Sequence, residues 1–354
     1  MPDAAGAGEA VLVPVLPNHR FDEAALARYL SGTLPGFAHG CTVRQFQGGQ
    51  SNPTYHVQTD AGAYVLRRKP AGPVLPSAHA VDREYRILKA LDGSGVPVPK
   101  VRLLCDDPSI IGTIFFVMDH VDGRVYPDRS IPGVDPAHRR AVFDDMARVL
   151  ALLHRVDPAA VGLSDYGKHG GYVARQLTRW AAQYQAAKLD SEPAMDALLA
   201  WLQAHPAVTD ETVIAHGDYR LGNLLLHPTE PRIVGVLDWE LSTLGHPLAD
   251  VAYCAMPWYL PPSLQGLAGL DVAGLPSEAE FVAVYCRYTK RTSLPDFGFF
   301  VAFSLFRWAA IVAGVYRRAL DGTAADAGAE VAGEKFRALA RAGRAVAYGE
   351  PVMG

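Results

Sequence analysis

The sequence predicts an α+β chain in two parts, a small antiparallel β-sheet N-lobe with one helix and a larger, mainly helical C-lobe. Three observations carry this. Residues 41–69 alternate between apolar and polar side chains and are broken by glycine turns. Beyond Gly123 the apolar residues recur at helical spacing over long stretches. Only a short crossing, Asp119 to Gly123, separates the two patterns.

The elements follow in order. Residues 1–10 are rich in Ala and Gly and are expected to lack fixed structure. Acidic residues lead Ala25, Leu26, Tyr29 and Leu30, which predicts a helix over Asp22–Leu30. Cys41–Phe46 and Thr54–Thr59 read as strands around a Gly48-Gly49 turn, and Asp60-Ala61-Gly62 turns the chain into a third, Tyr64–Arg67. Pro70–Pro76 reads as a loop, Val81–Leu91 as a helix, and Val101–Leu104 and Ile110–Met118 as two more strands. In the second part, Pro136–His154, Tyr172–Ala187, Pro193–Ala204, Glu278–Thr289, Phe297–Arg318 and Ala332–Ala345 are helical by length and period. Leu224–His227 and Ile233–Leu237 flank a Pro-Thr-Glu-Pro turn and predict a hairpin, and Asp321–Ala329 is a small-residue linker. The expected division is an N-terminal segment and helix (1–35), a sheet lobe (36–118), a hinge (119–123) and a helical lobe (124–354).

Composition narrows the function. With 354 residues, 49% of them hydrophobic, the chain can bury the core of about two domains. A net charge of -4 supplies no basic field, so a dedicated nucleic-acid binder is not expected. The four cysteines lie far apart without a CxxC pair, which argues against a zinc knuckle or a disulfide framework and for a reducing, cytoplasmic setting. MPDAAGAGEA has no basic run and does not read as a signal peptide. Phe297–Tyr316 is apolar over a membrane-spanning length, but Arg307 near its middle would cost about 2.5–3.5 kcal/mol in a bilayer. It reads as a buried helix, and no membrane partner is expected.

The chemistry concentrates in His216-Gly217-Asp218-Tyr219-Arg220-Leu221-Gly222-Asn223, followed after the hairpin by Leu237-Asp238-Trp239-Glu240. Phosphoryl transfer needs an acceptor for the nucleophile's proton and hard oxygen ligands for the Mg²⁺ that carries the triphosphate. Asp218 can take the proton. Asn223 and Asp238 can supply a neutral and an anionic oxygen, and the hairpin between them brings its two ends together. His216 reads as a loop-fixing residue and Asp250 as a cap or pin for the loop. His154, closing an apolar helix, reads as a packed or capping histidine, and no histidine pair has zinc-site spacing.

This constellation resembles the aminoglycoside phosphotransferase and choline kinase family, which shares the protein-kinase-like bilobal fold. The match is to the kinase H-x-D-x-x-x-x-N loop and the metal-binding aspartate that follows it. The resemblance implies ATP-dependent phosphotransfer to an alcohol group, with Mg²⁺ and a nucleotide as cofactors; ATP and GTP both stay open. It also gives the upstream residues their readings. Gly48, Gly49, Ser51 and Asn52 sit where kinases place a glycine-rich phosphate loop. On the third strand Arg67 holds the position of the phosphate-gripping lysine, with Lys69, two residues on, as the alternative cation. Glu84 matches the helix glutamate that pairs with that cation. Met118, Asp119 and Val121 fit the hinge that meets the base.

The acceptor is less defined. Arg175, Arg179, Arg220 and Arg307 could meet an anionic acceptor, although each is individually also an ordinary ion-pair partner. Glu240 could reach the metal through water or make a structural hydrogen bond. Arginines and tryptophans outweigh clustered acids here, which leans away from a cationic antibiotic. From Gly48 through Trp258 the sequence also resembles the kinase-like region attached to some acyl-CoA dehydrogenases, notably in Gly49-Gln50-Ser51-Asn52-Pro53-Thr54 and Asp165-Tyr166-Gly167-Lys168-His169-Gly170-Gly171-Tyr172. That implies a hydroxyacyl-CoA or hydroxy-acid acceptor. The expected partners are therefore a nucleotide and a small hydroxyl compound. A catalytically weak, nucleotide-binding pseudokinase and an aminoglycoside-type antibiotic kinase are the alternatives.

Overall fold

The computed structural model describes residues 11–35, 37, 39–47, 52–70, 80–188, 192–207, 209–321 and 329–351. In chain order the strands are β1 (Leu12–Val13), β2 (Thr42–Phe46), β3 (Thr54–Thr59), β4 (Gly62–Arg68), β5 (Val101–Cys105), β6 (Phe115–Asp119), β7 (Val213–Ala215), β8 (Leu224–Leu226), β9 (Ile233–Val236) and β10 (Thr243–Gly245). The helices are α1 (Glu23–Thr33), α2 (Val81–Leu91), α3 (Pro136–Arg155), α4 (Tyr172–Ala187), α5 (Pro193–Ala204), α6 (Pro247–Ala255), α7 (Glu278–Thr289), α8 (Phe297–Leu320) and α9 (Ala329–Tyr348).

The chain forms two compact units. The first draws on Met1–Pro127, Val161–Leu163 and Leu221–Ser242; the second takes Asp128–Ala160, Ser164–Arg220 and Thr243–Gly354. The order of an antiparallel sheet followed by helices is the α+β arrangement the sequence predicts.

In the first unit six antiparallel strands run in the order β1-β2-β3-β4-β6-β5. One face buries Leu26 and Leu30 of α1 against Tyr55, Leu66 and Phe115. The Asp22 side chain accepts from Ala25 N at 2.8 Å and so caps α1 at the predicted place. The strand period sets the two faces of β4 apart. Arg68 points into the core side, where its guanidinium donates to His19 O at 3.0 Å and lies 5.1 Å from the Phe21 ring. Arg67, its neighbour, points the opposite way.

The second unit is built on α8. Phe300, Leu305, Phe306, Ala309 and Ala310 are fully buried there, among side chains of α4, α5, α6 and α9. By length and composition α8 is long and apolar enough to cross a membrane, yet 72% of its most apolar stretch is buried within this unit. That agrees with its reading as a core helix. Asp135 caps α3, and a Ser277–Glu280 capping box starts α7.

Several expectations change. The strand foreseen over Ile110–Met118 begins at Phe115, because an Asp107–Ser109 side-chain turn and Gly112, with φ at +86°, break the extended run. β1, β7 and β10 are two or three residues long, too short to show alternation. α6, nine residues with a His246 cap accepting from Leu248 N, was not foreseen at all. The hairpin β8–β9, grouped by the sequence with the helical lobe in 124–354, packs with the sheet unit instead.

The crossing at Gly123 is tight. A Cβ there would lie 2.5 Å from Leu225 Cγ and 2.6 Å from the Leu226 carbonyl oxygen, while Arg124 exchanges backbone hydrogen bonds of 2.8 and 2.9 Å with Leu226. Gly123→Ala is therefore expected to destabilise the first unit by about 1–3 kcal/mol, seen as a lower urea midpoint.

Candidate active site

The hairpin register explains why two distant residues meet. Leu224 pairs with Val236, and Leu237 N donates to Asn223 O at 2.9 Å. Asn223 therefore lies opposite Leu237, one residue before Asp238, where the hairpin opens; Asp238 lines the cavity described below and Asn223 is buried outside its wall. Asp238 adopts a left-handed backbone, φ 63° and ψ 64°, a conformation that aspartate tolerates better than most residues. The turn aims its carboxylate at Arg67, whose Nη2 donates to Asp238 Oδ1 at 2.9 Å.

Arg67 stands among three acids. Its Nε lies 2.7 Å from Glu84 Oε2 and its Nη2 4.0 Å from Glu240 Oε2. Burial alone would pull the guanidinium down, but Glu84, Asp238 and Glu240 together outweigh it and hold its proton more tightly. The Glu84 side chain is only 3% exposed. Burial pushes its carboxyl up against the pull of Arg67, with Asp238 and Glu240 adding to the rise.

These side chains border a cavity of about 780 Å³ within the first unit. Of the residues singled out for a nucleotide, Arg67, Glu84, Met118, Asp119 and Val121 line it, as does Asp238. Lys69 lies beyond the end of β4, where its backbone N–H donates to Ile114 O, and it is not in the wall. This separates the two candidate cations in favour of Arg67 as the one facing the cavity. Asn52 is buried outside the wall. Gly48, Gly49 and Ser51 lie outside the described residues. The Asp119 carboxylate is taken by Arg102, at 2.6 and 2.7 Å. Phe46, His56 and His120 also line the cavity, with the Phe46 and His120 rings stacked 6.4 Å apart. No sequence motif marks this trio, because it is assembled by strand pairing.

The second unit holds the His216–Arg220 loop. Asp250, in the first turn of α6, accepts from His216 N at 2.6 Å and Gly217 N at 2.8 Å. His154 Nε2 approaches the same carboxylate at 3.4 Å. Burial opposes ionisation of Asp250, but the His154 contact, His216 and the Gly217 amide hold its carboxyl below the ordinary value. The expected pinning role of Asp250 and packed role of His154 fit this geometry. His216 is buried and its Nδ1 accepts from Asp218 N at 3.2 Å. Asp218 Oδ1 accepts from Tyr253 Oη at 2.5 Å, and Arg220 Nε lies 3.3 Å from Oδ2.

The four arginines read as acceptor contacts fall into different places. Arg307 donates to Gly217 O at 3.2 Å and lies over the Trp180 and Tyr253 rings; Arg179 covers Trp180 as well. Arg220 pairs with Asp218. Arg175 instead folds back on the Gly170 and Lys168 carbonyls ahead of α4. Glu240, grouped with these arginines by the sequence, belongs to the first unit beside Arg67. Tyr253 was missed, since one tyrosine on an unforeseen helix carries no pattern.

The donor set suits a hard cation. Among the described residues no group of three His, Cys, Asp or Glu is placed to hold a metal. One carboxamide and one carboxylate at the hairpin end match Mg²⁺, which keeps most of its shell from water and phosphate oxygens.

Comparison with known proteins agrees with these features. Residues 42–285 match the model of the phosphotransferase enzyme family, and the chain belongs to that family. A crystal structure from Ralstonia eutropha, provisionally named an aminoglycoside phosphotransferase, is 46% identical with a TM-score of 0.86, covering 94% of this chain and all of that one. Acyl-CoA dehydrogenase family member 11 of Rattus norvegicus is 46% identical over 320 residues, 88% of this chain and 41% of the relative. Member 10 of Mus musculus is 44% identical over 333 residues, 92% of this chain and 31% of that protein. The chain thus spans well under half the length of these curated relatives.

Asp250→Asn should lose a few kcal/mol of stability at neutral pH, because the pinned amides lose their ionised acceptor. The folded-state pKa of Asp250 lies below its ordinary value of 3.8, so its contribution is present above that pH and is lost as the pH falls through the folded value. The gap between parent and variant in thermal melts is therefore expected to narrow in acid.

Proposed function

We propose that this protein transfers the γ-phosphate of ATP, carried as its Mg²⁺ complex, to a hydroxyl of a small metabolite, with a hydroxyacyl-CoA or hydroxy acid as the favoured acceptor. The observation that carries the nucleotide half is the Arg67 guanidinium, ion-paired with both Glu84 and Asp238 on the wall of a cavity of about 780 Å³. Arg67 would neutralise phosphate charge, braced by Glu84. Asn223 and Asp238 would hold the magnesium. Bound there, the metal would neutralise charge on the β- and γ-phosphates. Asp218, five residues before Asn223 in the same loop, would orient the acceptor hydroxyl and take its proton as the new P–O bond forms and ADP departs.

The acceptor reading rests on similarity to acyl-CoA dehydrogenase family members and on the arginines around Asp218. The provisional name of the Ralstonia protein keeps an aminoglycoside acceptor as the competing reading. The four thiols are all free in the structure, which supports a reducing, cytoplasmic setting. An arginine in place of the kinase lysine motivates the pseudokinase alternative; its ion pairs with Glu84 and Asp238 on the cavity wall support an active enzyme.

A coupled nucleotide-consumption screen across hydroxy acids, their CoA thioesters, amino alcohols and aminoglycosides tests the reading. Asp218→Asn is expected to keep nucleotide affinity and lose roughly 10²–10⁴ in turnover. Asp238→Ala is expected to abolish magnesium-dependent nucleotide binding in calorimetry. Turnover unchanged in Asp218→Asn would remove that residue from the chemistry, and nucleotide binding without turnover on any acceptor would favour the pseudokinase.

A further inference from the structure

We propose that Tyr253 is the positioning residue for Asp218, fixing one carboxylate oxygen so that the other receives the acceptor's proton; this rests on the phosphotransfer reading above. Tyr253 sits three residues after Asp250 on α6, and residues three apart share a helix face. One turn of helix therefore holds the loop twice. Asp250 grips the His216 and Gly217 amides, and Tyr253 grips the Asp218 side chain.

The contact has the form of a charge-assisted bond. Tyr253 Oη donates to Asp218 Oδ1 at 2.5 Å, the length expected for a hydroxyl on an ionised carboxylate. Burial, together with the Asp218 charge, pushes the phenol's pKa up, so it stays a donor at any physiological pH. The phenol ring is itself held. The Arg307 guanidinium lies 5.7 Å from its centroid and 5.5 Å from that of Trp180, and also donates to Gly217 O. Arg307 thus ties the tyrosine ring to the backbone of the loop the tyrosine orients.

The two oxygens of Asp218 are held differently. Oδ1 has the short phenol bond. Oδ2 faces Arg220 Nε at 3.3 Å, and the Arg220 side chain is 42% exposed, so this longer pair can exchange. Oδ2 is therefore the oxygen that takes the proton when the acceptor oxygen bonds the γ-phosphorus and the bond to the bridging oxygen of ADP breaks. Removing Oη takes away the short bond that fixes Oδ1.

The test compares the parent with Tyr253→Phe, and uses Tyr184→Phe as a control that removes a phenol bonded to Asp196 elsewhere in the same unit. With Mg-ATP and 3-hydroxybutyryl-CoA, Tyr253→Phe is expected to lower kcat by about 10- to 100-fold. Both KM values should stay within about twofold, and the acid limb of the kcat profile should differ from that of the parent. The charged neighbours Arg220 and Arg129 are unchanged in the variant. Tyr184→Phe should leave kcat as in the parent. Independently of turnover, ¹³C NMR of carboxyl-labelled aspartate should show Asp218 titrating at higher pH in Tyr253→Phe. An unmoved Asp218 titration overturns the proposal, as does an unchanged kcat or a change confined to acceptor KM. If the parent does not turn over this thioester, 3-hydroxybutyryl-CoA is not an acceptor and the titration alone decides the role of Tyr253.

Discussion

The first unit depends on a cation that cannot be left alone. The Arg67 side chain is only 14% exposed, and a buried guanidinium is tolerable only where acids and hydrogen bonds replace the lost water. Its planar fork makes this possible. Nε meets Glu84 from α2 while Nη2 meets Asp238 from the hairpin end, so one side chain of β4 ties three elements together. A lysine offers a single ammonium and would not span both carboxylates in the same fixed geometry. The arginine at this position thus places a positive charge on the cavity wall and ties it to two acids at once.

A second constraint operates in the other unit, where backbone rather than side chains must be held. Loops expose amides that secondary structure does not satisfy, and a buried one needs a partner. The ionised Asp250, facing His154 and two loop amides, meets that need and fixes the path of the chain into Asp218. Stability and site geometry are thus set by the same bonds. His216 and Asp250, which shape the loop, are almost fully buried, while Asp218 and Arg220 keep part of their surface in water.

Much of this could be read from the chain because spacing and hairpins are local. Asn223 and Asp238 are neighbours as soon as the segment between them forms an antiparallel pair. Arg67 and Glu84 are singled out by the resemblance to the kinase pattern, on a strand and a helix that the local periods predict. What escaped was assembled at longer range or in short elements. Nothing in the alternation of β4 decides between Arg67 and Lys69, since both would share a face if the strand ran on; it stops at Arg68. α6 is short and apolar, so Tyr253 could not be placed on a face toward the loop. The stacked Phe46 and His120 come from the end of β2 and the residue after β6, far apart in sequence. The return of the hairpin to the sheet unit depends on contacts such as Arg124 with Leu226, which no local pattern announces.

The central claim is that Arg67, clamped between Glu84 and Asp238, is the cation that receives the nucleotide's phosphates. Calorimetric titration of Mg-AMP-PNP into Arg67→Met and Lys69→Met measures it most directly, since both remove a charge at one end of one strand. A loss of about tenfold or more in affinity for Arg67→Met, with Lys69→Met within a few-fold of the parent, is the predicted result. The reverse order, or equal and small losses in both, would contradict the account.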